Sequence, residues 1–62
     1  MGKTWEPWLA EVLGEYMRLT GEERGMAEMA IDHWHDILRD LYREEAQPIE
    51  AAKAMVFDDE TT

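Results

Sequence analysis

Met26-Ala27-Glu28-Met29-Ala30-Ile31-Asp32-His33-Trp34-His35-Asp36-Ile37-Leu38-Arg39-Asp40-Leu41-Tyr42 is the stretch whose reading decides the fold. Met26, Met29, Ala30, His33, Trp34, Ile37, Leu38, Leu41 and Tyr42 recur with a 3,1,3,1 spacing. That period predicts an amphipathic helix and excludes a strand, whose apolar residues would alternate. Ala27 and Ile31 widen the stripe, so this helix is expected to meet more than one neighbour. Its span is expected to be 21–45. Gly25 is the weak point, at about 1 kcal/mol relative to alanine, and invites a kink or a late start.

The opposite face carries a second pattern. Glu28, Asp32, Asp36, Asp40 and Glu44 recur every four residues. On a continuous helix they form one slanted row, about 6 Å of rise apart and about 24 Å from end to end. Like charges at this spacing weaken a helix by roughly 0.2–0.5 kcal/mol per pair. Two readings follow. The row is a solvated face, partly neutralised by Arg24 before Glu28, Arg39 after Asp36 and Arg43 after Asp40. Alternatively it is a contact surface, presenting carboxylates much as a nucleic-acid strand presents phosphates.

Upstream, Trp5, Trp8, Leu9, Val12, Leu13 and Tyr16 predict a first helix over 5–19, with Thr4 as N-cap and Pro7 in its first turn. Thr20-Gly21-Glu22-Glu23 reads as a capping box, placing the next helix almost directly after the first. Downstream, Gln47-Pro48 ends the central helix, and Pro48 suits the first position of a third, over 48–57. Ile49, Ala52, Val56 and Phe57 are its expected apolar face, and 58–62 an acidic tail. The expected fold is all-α: a single domain over 1–62, an antiparallel helical hairpin closed by a short third helix. The wide central stripe also allows a homodimer.

Composition narrows the function. Sixty-two residues bury only about 60% of the surface that the unfolded chain exposes, so such a domain is marginal without support. There is no cysteine, which removes disulfides and thiolate metal sites and points to a reducing, cytoplasmic setting. No apolar run approaches the roughly 20 residues of a membrane span. Trp5-Glu6-Pro7-Trp8 breaks any signal-peptide pattern, and Glu6 spoils a myristoylation start at Met1-Gly2. The net charge is −9, with −1 in residues 1–20, −5 in 21–47 and −3 in 48–62. Such a balance repels nucleic acid and anionic membranes and attracts basic protein surfaces.

Catalysis finds little support. The hydroxyls are threonines and two tyrosines, with no adjacent base and orienting group, and no glycine-rich phosphate loop exists. His33 and His35 point about 200° apart on a helix and cannot share an ion. His33 is expected as a hydrogen-bonded core or interface residue, and His35 on the wet side, beside Asp32 and Arg39. No enzyme activity, cofactor or metal is expected. Trp34 is expected in the core. The aromatic and Met positions are expected mostly in the core; for Trp5 and Trp8, near a chain end where cover is scarce, the alternative is an exposed pair that anchors a protein partner or a second copy.

A small, cysteine-free, acidic, helical chain with the row from Glu28 to Glu44 resembles the phage-encoded inhibitors of bacterial defence, including anti-CRISPR proteins, several of which mimic DNA. Arg24, Arg39 and Arg43 depart from a pure mimic. The resemblance implies stoichiometric inhibition in a bacterial cytoplasm: the acidic face blocks the basic DNA- or RNA-binding channel of a Cas effector. The expected contact residues are Glu28, Asp32, Asp36, Asp40, Glu44, Trp5 and Trp8. The alternative is a hydrophobic interaction or self-assembling module, adaptor or antitoxin-like, working through Trp5, Trp8 and the Met-rich flank of the central helix. In that case the acids serve solubility alone.

Overall fold

The first turn of α1 (Trp5–Thr20) starts at Thr4, whose extended backbone lets its carbonyl accept from the Trp8 N–H at 3.1 Å. The Thr4 side chain makes no capping hydrogen bond. A computed structural model describes the backbone of residues 4–60 and the side chains of 4–57. The Met1-Gly2 start, Thr61-Thr62 and the acidic side chains of 58–60 lie outside the described residues. Residues 4–60 are all-helical, in four helices where the sequence predicts three: α1, α2 (Arg24–His33), α3 (His35–Arg43) and α4 (Pro48–Glu60).

The expected capping box does not form. Thr20 belongs to α1, and its hydroxyl donates to the Tyr16 carbonyl at 2.8 Å while accepting from the Glu22 N–H at 3.2 Å. Gly21 takes the left-handed conformation (φ 74°), and its N–H closes α1 on the Met17 carbonyl at 2.7 Å. A left-handed glycine stop satisfies one of the orphan carbonyls, so the same four residues end one helix rather than begin the next. α2 therefore starts late, at Arg24, with Glu23 at its N-cap and no side-chain cap bond.

The central helix is broken at Trp34, not at Gly25. Trp34 sits at φ −93°, ψ 9°, between the α and β regions. The chain stays locally turned there: the Trp34 N–H donates to Ala30 at 3.0 Å and its carbonyl accepts from Leu38 at 2.9 Å. Asp32-His33-Trp34-His35-Asp36 is a run of five residues from the weaker half of the helix propensity scale, so the interruption falls where continuity contributes least.

α3 stops at Arg43 through a doubly bonded C-terminal motif. Ala46 donates to Leu41 and Glu45 to Tyr42, both at 3.0 Å, with Glu45 held at φ 60°. Pro48 then opens α4 as expected, and the Gln47 carbonyl accepts from Glu50 and Ala51 at 3.0 and 3.1 Å. The helix continues to Glu60, past the expected stop at 57.

α1 packs chiefly against α4. Ala51, Ala52 and Met55 are fully or nearly fully buried with Trp8, Val12, Ile31 and Leu38. Two adjacent alanines leave little side chain between the helix axes, which permits close approach. Trp5, Leu9, Leu13 and Tyr16 pack around this core, as the first stripe predicts. On α4 the buried face is Ala51, Ala52 and Met55, whereas Phe57, expected inside, is exposed. On the central segment the buried set is Ala27, Ile31 and Leu38, with Ala30, Trp34, Leu41 and Tyr42 partly covered. Met26, Met29, His33 and Ile37, expected in the core, are exposed. Residues 27, 31, 34, 38 and 41 form one side of the widened stripe that the sequence predicts, and that side packs into the core with α1 and α4.

Candidate partner-binding surface

All five residues of the acidic row are exposed. The turn at Trp34 divides them: Glu28 and Asp32 stand on α2, Asp36 and Asp40 on α3, and Glu44 just beyond its end. The single straight rod expected from the spacing is therefore corrected to two short segments. Of the three neutralising pairs expected, one forms. Arg24 Nε lies 3.2 Å from Glu28 Oε2, between two side chains that are each mostly in solvent. Such a pair is worth little, typically under about 1 kcal/mol. Among the described residues neither Arg39 with Asp36 nor Arg43 with Asp40 forms an ion pair. Arg18 pairs with Glu15 on α1, and His35 Nδ1 approaches Asp36 at 3.9 Å.

Arg39 has a different partner. Its guanidinium lies over the Trp5 ring, 5.2 Å from the centroid. Trp5 stacks on Trp8 at 5.9 Å and meets His35 and Tyr42 edge-on at 5.5 and 5.3 Å. Tyr42 also meets Trp8, at 5.4 Å. These contacts show α2 returning the chain along α1, so that the start of α3 lies beside the start of α1. Trp8 is 4% exposed, and its indole Nε1–H donates to the Ala46 carbonyl at 2.9 Å. Trp8 thus takes the core reading and not the alternative of a partner anchor: the side chain is internal, and it ties the α3–α4 connection to α1. Trp5 is half-buried under Arg39 and Tyr42, and is not an open aromatic face.

No family model, curated protein or solved structure matches this chain. His35 is exposed, as expected, but it faces Trp5 and Asp36. His33 is exposed rather than internal. Among the described residues no three His, Asp or Glu side chains are grouped to hold a metal ion. No described helix is long and apolar enough to cross a membrane.

Two apolar features accompany the acids. Met26 and Met29 are 53% and 67% exposed, and Ile37 on α3 is 50% exposed. With His33, the two methionines fall within an arc of about 60° on the side of α2 turned away from Ala27 and Ile31. On the other side of α2, a groove of about 210 Å³ lies between α1 and α2, lined by Glu6, Leu9, Ala10, Leu13, Glu28 and Ile31. Sequence reasoning places Leu9, Leu13 and Ile31 in the stripes but misses the concavity. Ala10 was its signal: a small residue beside larger apolar ones leaves a gap when a second helix lies across it.

Proposed function

We propose that this chain is a small, non-catalytic binding protein whose acidic α2–α3 surface occupies a basic, nucleic-acid-binding surface of a protein partner. In this role it resembles the phage-encoded inhibitors of bacterial defence, and the effector's DNA- or RNA-binding channel is the surface blocked. The observation that carries the reading is the state of the acidic row. Glu28, Asp32, Asp36, Asp40 and Glu44 all remain exposed, and among the described residues Arg24 alone of the arginines ion-pairs with one of them. A basic partner would release counterions and gain charge contacts along this surface, so its binding would be salt-sensitive. The division at Trp34 favours charge matching over a helical array of phosphates as the basis of recognition.

The test uses immobilised protein to capture partners from a bacterial lysate, beside an Asp32→Lys, Asp36→Lys, Asp40→Lys variant. The expected prey binds wild type, elutes as salt rises, loses its own nucleic-acid binding in proportion to added protein, and is not held by the variant. Equal retention by the variant sinks the electrostatic reading.

A second reading is favoured by Met26 and Met29 on α2 and Ile37 on α3, large apolar side chains left exposed to solvent. A partner or a second copy covering them would make the protein an adaptor-like module. Prey held equally by the charge-reversed variant but lost on Met26→Ser with Met29→Ser would select that reading.

A further inference from the structure

We propose that the groove between α1 and α2 takes a single apolar anchor side chain from the partner, flanked in the partner's sequence by lysine or arginine. This rests on the reading that the partner is basic, and it names how such a partner is held.

The floor of the groove is apolar. Leu9, Ala10 and Leu13 supply it from α1, and Ile31 from α2. Its volume of about 210 Å³ accommodates one side chain of leucine or methionine size and not a packed cluster. Both walls carry a carboxylate, Glu6 from α1 and Glu28 from α2. An apolar trough with acidic walls selects against an acidic or purely polar segment, and complements an apolar residue with positive neighbours. Glu28 also begins the acidic row, whose next member on α2 is the exposed Asp32. The Arg24–Glu28 pair is exposed and weak, so a partner base can take Arg24's place. A second copy of this chain is a poor occupant: each copy carries a net charge of −9, and the walls would face like charge.

The probes are two synthetic peptides of equal charge, Lys-Lys-Leu-Lys-Lys and Lys-Lys-Ala-Lys-Lys, titrated against the intact protein and followed by amide chemical shifts. Burying the leucine is expected to make the first bind about tenfold more tightly than the second, with shifts at Ala10, Leu13 and Ile31. Ala10 is exposed, so Ala10→Phe is tolerated by the fold and fills the groove. It is expected to abolish the leucine preference while leaving the weaker, charge-driven binding. Equal affinity of wild type for both peptides overturns the proposal. So does a leucine preference that survives Ala10→Phe, which would move the apolar contact to the Met26–Met29 strip. Either result leaves the lysate experiment with the charge-reversed variant to decide separately whether the partner is basic.

Discussion

Trp8 shows how one side chain can belong to two levels of structure. Its ring lies in the core, and its indole N–H reaches out to the Ala46 carbonyl, 38 residues away. Tryptophan is well suited to this, because a large apolar body ends in one donor. Trp8→Phe would keep most of the apolar contact but leave the Ala46 carbonyl without that donor. The expected loss is about 2 kcal/mol. In a domain of this size it should appear as a melting temperature lowered by about 10 °C. A calorimetric midpoint unchanged by the substitution would mean that the bond adds nothing to stability. Arg39 makes the complementary point. Spacing assigns it to Asp36, yet it lies on Trp5, where a cation gains from the ring's negative face and covers apolar surface with its stem. Sequence spacing ranks partners within a helix and is blind to a ring delivered from another one.

The two helix stops differ in how well their residues suit them. Gly21 and Glu45 both adopt the left-handed conformation, at φ 74° and 60°. Glycine does so without steric penalty, whereas a residue with a Cβ does so at a cost of about 1 kcal/mol. Glu45→Gly is therefore expected to stabilise the fold by about 1 kcal/mol, and Gly21→Ala to destabilise it by a similar amount. A Cβ at Gly21 would meet nothing within 4 Å, so its effect is conformational alone. Urea unfolding midpoints moving in opposite directions would establish this. At the same scale lies the limit of what the sequence could tell. α1 was legible because its apolar residues form one narrow stripe, bounded by Glu6, Glu11 and Arg18. The central segment was less so, because its widened stripe has two sides. Met26, Met29, His33 and Ile37 compete with Ala27, Ile31, Trp34 and Leu38, and the period is the same for both. The packing of α2 against α1 decides between them: Ala27 and Ile31 are buried, and Met26 and Met29 on the far side stay exposed. The break was foreshadowed by the weak helix formers of 32–36, although glycine at 25 drew the expectation elsewhere. The acids were legible as an exposed set, and the groove was not, because a concavity is a property of two helices together.

At the scale of the whole molecule, the net charge of −9 works against the small core that holds the helices together. Self-repulsion disfavours the compact state, and dissolved salt screens it. Raising sodium chloride from about 20 mM to about 300 mM is expected to raise the melting temperature by about 5 °C, whereas a protein held mainly by surface ion pairs would lose stability. A flat or falling midpoint would show that the acids are already compensated within the fold. The same screening should weaken partner binding, so stability and affinity are expected to move in opposite directions with salt. That opposition is the mark of a surface whose charge serves recognition at the expense of the fold.

The packing of α1 on α4 also sets an order in time. The residues that cover Trp8 and Val12 are Ala51, Ala52 and Met55, which are made some forty residues later. At a synthesis rate of about 5–20 residues per second, α1 waits roughly 2–9 seconds for its cover. During that interval its apolar stripe, with both tryptophans, has at most α2 and α3 to lie against. A nascent chain with α4 missing would present that stripe to whatever it meets, so translation halted before residue 48 leaves a product suited to a holdase or a protease rather than to a partner.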